Sequence, residues 1–315
     1  MRLRSLAAFP LLYAVIFLAI AWSLQDGEAL APFTFWQRIL ARVLAAAGCF
    51  AAVSCFERGD HLRNAWLWLG AGTIVILIRD LLRLFPGFAP QGTDPKAQIV
   101  VTTLGILSNL ALLGGIWMLA RSWKMAAITL PGGRSGFGVV AVATAILALT
   151  VTGPGAFNHL QQVSQGDWSS LVLVVSALVD IITLCLITPL LLTTVSLRGS
   201  LFAWPWGLVT ASQFAWLLYD IAASLRPGLL PAGLPLSEVF RGLAENYLFA
   251  AGTSRIILRT GITSSPQTTA ATNRNVEVCL KRIGISWSFS GSTLPPTRPA
   301  TRFPSAVAMN QTPII

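Results

Sequence analysis

Eight ionisable residues sit where the surrounding sequence is built for lipid. The stretch "VILIRDLLRLF" (75–85) places Arg79, Asp80 and Arg83 inside an apolar run, and Arg42, Asp180, Asp220, Arg241 and Glu245 interrupt other such runs. A charged side chain in hydrocarbon costs up to about 2.5–3.5 kcal/mol on insertion scales, less near an interface. Such groups are tolerated when they pair, snorkel or face water, and they are the usual material of proton relays, cation sites and ligand pockets. Asp80 with Arg83 is an i,i+3 pair and Arg241 with Glu245 an i,i+4 pair, so each is expected to share a helix face. Asp180 and Asp220 have no basic residue at helical spacing. They are expected to find one on another helix, with Arg42 and Arg79 as candidates.

Two roles compete for these residues. For Arg42, Arg83 and Arg241, near the ends of their apolar segments, interhelical clamping or snorkelling is the plainer reading. A carboxylate in the middle of a span cannot snorkel far, so Asp180 is read as the floor of a polar cavity. The expected binding or charge-network set is therefore Arg42, Arg79, Asp80, Asp180, Asp220, Arg241 and Glu245.

The elements that must position these groups are long apolar helices. Of 315 residues 54% are hydrophobic and 11% charged, and mean hydropathy is +0.69, which implies repeated membrane spans. The 11 tryptophans suit anchoring at the headgroup level. Eight segments are expected to span, at about 6–24, 39–56, 65–85, 98–120, 137–156, 170–196, 202–223 and 238–258. The last is the least apolar, since it holds Arg241, Glu245 and Asn246. The fold class is thus an all-α polytopic bundle over residues 1–259, followed by a polar, disordered cytoplasmic tail over 260–315.

Charge sorts the loops. One set carries Arg2, Arg4, Arg58, Arg63, Arg121, Lys124, Arg134, Arg198, Arg255 and Arg259; the other carries Arg38, Lys96 and Arg226. Ten basic residues against three predicts a cytoplasmic location for both termini. "MRLR" followed by an apolar run and "AIA" (19–21) has signal-peptide character, but a retained first helix is the expectation. In this orientation all eight intramembrane charges fall toward the outer side.

Internal similarity suggests a four-plus-four tandem repeat. "WLWLGAGTIVILIRDLLRLFPG" (66–87) and "WPWGLVTASQFAWLLYDIAASLRPG" (204–228) both open W-x-W, place an aspartate 14 or 16 residues later and close on Pro-Gly. Arg42 precedes Trp66 by 24 residues, as Asp180 precedes Trp204. "NLALLGG" (109–115) and "NYLFAAG" (246–252) add a third match, whereas spans 1 and 5 do not match. Parallel repeats are related by an axis along the membrane normal. Arg42 and Asp180 would then be equivalent positions of opposite charge, expected to bridge, and Asp80 and Asp220 equivalent carboxylates.

No catalytic or cofactor signature accompanies these charges. His61 and His159 lie in loops rather than as paired intramembrane ligands, and G-x-S-x-G, Walker A and H-E-x-x-H patterns are absent. Cys49, Cys55, Cys185 and Cys279 have no zinc-like spacing. No cofactor, metal or nucleic-acid partner is expected, and no enzyme activity. Pro189 is expected to kink its helix just past Asp180.

At "ERGDHLRNAWLWLGAGTIVILIRDLL" (57–82) and "VSALVDIITLCLITPLLL" (175–192) the chain resembles the multi-span sensory regions that precede bacterial diguanylate cyclase or histidine kinase domains. The likeness rests on Gly59, Arg63, Ala65, Trp66 and Asp80, on the mid-span Asp180, and on Asp220 closing the next helix. It extends over residues 1–258. Arg79 and Glu245 depart from the pattern, and no output domain follows in this sequence. The resemblance implies sensing or regulation, with an outer-side ligand or membrane protein as input and a separate signalling protein as output. A proton- or cation-coupled transporter using the same carboxylates is the alternative.

Overall fold

The computed structural model describes residues 3–24, 27–89, 94–125, 133–166, 170–197, 200, 203–224 and 236–263. Among them are eight α-helices, one short 3-10 turn at Pro86–Phe88, and no strand. The helices are α1 (Leu3–Ser23), α2 (Gly27–Val53), α3 (His61–Leu82), α4 (Pro95–Met125), α5 (Gly133–Ser164), α6 (Leu171–Ser196), α7 (Ala203–Ser224) and α8 (Leu236–Thr263). The tail expected to be disordered lies outside the described residues, apart from the last turn of α8.

Six of the helices, α1 to α6, are long and apolar enough to cross a membrane. Large apolar side chains on their outward faces, among them Val15, Trp36, Ile99, Val139 and Ile146, are exposed, as suits a protein solvated by lipid. α8 is the most polar of the eight, and α7 packs on it. Both also contact apolar helices, α8 along α2 and α1, α7 along α6.

Helix starts follow local chemistry. Gly59 takes φ +93°, a left-handed conformation that glycine adopts without strain, and Asp60 then caps α3 by accepting the Leu62 N–H at 2.8 Å. α6 runs through Pro189 without interruption; the hydroxyl of Thr193 donates to the Pro189 carbonyl at 2.6 Å. α2 begins at Gly27 rather than near residue 39. Arg42 is consequently in the middle of its helix, and Arg38, expected in a loop, is one helical turn before it.

The bundle has two unlike ends. Where α3 and α7 begin, Trp66, Leu69, Leu119, Leu190, Trp206, Val209, Leu248 and the alanines Ala250 and Ala251 form a dry apolar core. Where α3 and α7 finish, the charged side chains converge. Small residues bring the helices close enough for this. Gly252 of α8 lies directly against the Gly48 carbonyl of α2, and a Cβ on Gly48 would stand 2.6 Å from Cα of Phe249. Gly72 of α3 likewise fits against the Ser108 carbonyl of α4.

Packing partners recur in the order of the chain. α3 lies along α4 as α7 lies along α8; α2 lies on α8 as α6 lies on α4; α2 contacts α3 as α6 contacts α7. α1 and α5 break the correspondence: α1 packs mainly on α8, whereas α5 packs mainly on α6. The α5–α6 pair is antiparallel, with the Thr144 and Thr188 hydroxyls 2.7 Å apart and Ala148 packed with Leu184 and Ile187.

Candidate functional site

The charged end encloses a cavity of about 360 Å³ reached by side chains from α2, α3, α4, α6, α7 and α8. This is the low end of the range for small-molecule pockets. Six of the seven residues expected from the sequence line it; the seventh, Asp80, lies behind Arg42 and Arg79. One wall is cationic and is made by Arg38 and Arg42 of α2, Arg79 with Arg83 at the end of α3, and Arg241 of α8. The other holds the carboxyls of Asp180 on α6 and Asp220 on α7.

The cationic wall is a connected network. Arg42, 2% exposed, bonds Asp80 of α3 through Nη1 and Glu245 of α8 through Nε at 3.1 Å. Asp80, 1% exposed, also accepts from Arg79 Nη2 at 3.1 Å and lies 4.0 Å from Arg38 Nη1. Arg38 donates to Glu238 at 2.8 Å, and Glu238 accepts from Arg241 at the same distance. Arg241 Nη2 donates to the Tyr219 hydroxyl at 2.6 Å, and its guanidinium also lies 4.7 Å from the centre of that ring. Three helices are thereby clamped by charge-assisted bonds, which are stronger than neutral ones and depend on both partners being present.

Several expected pairings are corrected. Asp80 pairs with Arg42 and Arg79, not with Arg83, although Asp80 and Arg83 are i,i+3. Glu245 pairs with Arg42 rather than Arg241, because Arg241 is turned toward Glu238 and Tyr219. The bridge expected from Asp180 to Arg42 or Arg79 does not form, since both guanidiniums are held by Asp80 and its neighbours. Among the described residues, no salt bridge reaches Asp180 or Asp220. Both line the same cavity, and Ser176, one turn before Asp180 on α6, lines it with them.

Arg38 and Glu238 were not in the expected set, yet they tie the network together. A signal was present. Arg38 and Arg42 are i,i+4 on one face, and Glu238 stands i,i+3 before Arg241, so once the helices are extended the pairs align. Placing the start of α2 too late hid Arg38, whereas Glu238 stood at the first position of the eighth expected span.

The lining residues keep a common register between the two halves of the chain. Arg38, Arg42 and Ala45 of α2 line the cavity as Ser176, Asp180 and Thr183 of α6 do, each 138 residues later. Thr73, Ile76 and Arg79 of α3 match Gln213, Trp216 and Tyr219 of α7, each 140 residues later. The same 140 separates Asp80 from Asp220 and the buried Trp66 from the buried Trp206. The asparagines are a different matter. Asn109 lines the cavity, whereas Asn246 is fully buried and donates to the Gly242 carbonyl of its own helix at 2.8 Å.

Two further places hold notable polar groups. His61 Nε2 lies 2.9 Å from the Met118 carbonyl and ties α3 to α4, while His159 contacts Gln162 at the surface. At the opposite end from the cavity, Arg255 lies between the rings of Phe56 and Trp206, at 5.5 and 5.8 Å. Among the described residues no group of three or more His, Cys, Asp or Glu is placed to hold a metal ion. Comparison with protein-family models, curated proteins and solved structures finds no match.

Proposed function

We propose that this chain is a sensory or regulatory protein of a bacterial inner membrane. All eight helices cross the bilayer in this reading, both termini are cytoplasmic, and the charged cavity opens to the outer side. A small molecule or another membrane protein enters the cavity, alters the pairing around Asp180, Asp220 and the Arg42 network, and shifts the helices. The cytoplasmic segments near 57–64 and 121–136 pass this on to a separate signalling protein.

The carrying observation is the gathering of the buried ion pairs at one end of the bundle. Five arginines and five carboxylates gather there, while the other end is filled by Trp66, Leu69, Leu190 and Val209. A charged cavity that meets the apolar core at Leu69, Ile116 and Leu248 suits recognition from one side. The alternative, a proton- or cation-coupled transporter, is favoured by a separate observation: the lining residues of α2 and α6, and of α3 and α7, share a register, as those of a cavity between two halves of a tandem duplication would. α1 and α5 fall outside that duplication.

The test is a pulldown from detergent-solubilised membranes, wild type beside Asp180→Asn with matched expression. Recovery of a kinase or other signalling protein, changed by the substitution, supports sensing. No partner with either form, together with flux in proteoliposomes that Asp180→Asn abolishes, replaces it with the transporter.

A further inference from the structure

The charges around the cavity are not merely numerous; they are sorted. Arg38, Arg42, Arg79, Arg83 and Arg241 face three carboxylates in their own network, Asp80, Glu238 and Glu245, which leaves two guanidinium charges in excess. Arg83 contributes a buried Nε with no hydrogen-bond partner. Across the cavity stand two carboxyls, Asp180 and Asp220, to which no arginine bridges. Separated opposite charges in a poorly polarisable interior attract strongly, and a polar molecule that reaches both walls relieves the separation.

We propose that the cavity binds an extended zwitterion, its anionic group on Arg79 and Arg83 and its ammonium between Asp180 and Asp220. This deepens the ligand-binding reading above and rests on it. Each pole has suitable chemistry. Guanidinium groups recognise carboxylate and phosphate oxygens by paired hydrogen bonds. The carboxyl corner is lined by Ser176 and by the indole of Trp216, whose face adds cation–π attraction for an ammonium.

The spacing of the poles sets the ligand's length. Room for Arg79 is made by Gly105, where a Cβ would stand 3.2 Å from Arg79 Nη1 and equally close to Val172 at the start of α6. Asp180 is eight residues further along α6, a rise of about 12 Å at ~1.5 Å per residue. Side-chain reach shortens that gap, and what is left favours a ligand whose charges are set further apart than the two groups on the single α-carbon of an amino acid. Ile76, Leu112 and Val179 give the cavity an apolar lining as well, which suits a methylene chain. Both an ω-amino acid and the phosphoethanolamine headgroup of a lipid carry this chemistry.

The experiment uses the full chain in phosphatidylglycerol nanodiscs, with thermal unfolding followed by tryptophan fluorescence. 6-Aminohexanoate is expected to raise the midpoint saturably, glycine far less, and hexanoate or hexylamine at equal concentration not at all. Nanodiscs containing phosphatidylethanolamine distinguish the sources: a raised midpoint there, with no further gain from 6-aminohexanoate, assigns the site to the headgroup. Asp180→Asn and Arg83→Gln are each expected to weaken the response at least tenfold, and Asp180→Glu to retain most of it, with elution profiles confirming folding. Hexylamine acting as well as the zwitterion, an unchanged response in Asp180→Asn, or no response to either zwitterion source overturns the proposal. The pulldown separates its fate from that of the signalling reading. A zwitterion response without a partner sinks only the latter, and a partner without a zwitterion response sinks only this inference.

Discussion

Arg42 and Asp80 form a buried ion pair between α2 and α3, and the residues 138 and 140 positions later in α6 and α7, Asp180 and Asp220, are both acidic. One side of the cavity is therefore tied by an ion pair, and the other carries two carboxyls that no arginine bridges.

Truncating Arg42 should be the most damaging single change. It would leave Asp80 and Glu245, at 1% and 5% exposure, without their shared guanidinium. Breaking a buried pair by removing one partner costs about 3–5 kcal/mol. Arg42→Met is expected to lower stability by that order in detergent unfolding, with Arg42→Lys intermediate because a single ammonium replaces a two-sided fork. An Arg42→Met protein as stable as wild type would show that the network is dispensable.

The carboxyl side should behave in the opposite way. Since neither Asp180 nor Asp220 has an ion pair, Asp180→Asn is expected to change stability by less than about 1 kcal/mol, well short of the buried-pair cost. Asp180→Arg is expected to bridge to Asp220 as Arg42 bridges to Asp80, raising the unfolding midpoint and abolishing any response to a cavity ligand. A loss of folding in Asp180→Arg would refute the equivalence of the two positions.

Helix proximity gives a third expectation. A methyl on Gly252 would run into the Gly48 carbonyl, which is backbone and cannot turn aside. Gly252→Ala should push α8 from α2 and destabilise the protein by about 1–3 kcal/mol. Because Arg42 and Glu245 join the same two helices, the substitution should also weaken their pair. A double-mutant cycle of Gly252→Ala with Glu245→Gln would read that as non-additivity.

At the far end, Arg255 presents a planar cation to Phe56 and Trp206. Arg255→Lys keeps the charge and loses the flat guanidinium, and is expected to cost about 0.5–2 kcal/mol, the range for such contacts. Trp206→Leu combined with Arg255→Lys should then cost less than the sum of the two single changes, as measured by equilibrium unfolding.

Composition and hydrophobic run length were enough to read an all-helical membrane protein, because lipid requires every backbone group to be satisfied within a helix and that demand is written locally. The same locality made the intramembrane charges conspicuous, and six of the seven singled out do line one cavity. Which charge meets which was not readable. Asp80 and Arg83 have ideal helical spacing and do not pair, while Arg42 finds Asp80 and Glu245 across 38 and 203 residues of chain. Pairing is settled by how closely helices approach, and that depends on glycines such as Gly48, Gly72 and Gly252 meeting backbone on another helix. Sequence supplied the charges and the helices that carry them; only the packing of α2 against α8 and α3 against α4 decided that the arginines would be shared on one wall and Asp180 and Asp220 left facing each other on the other.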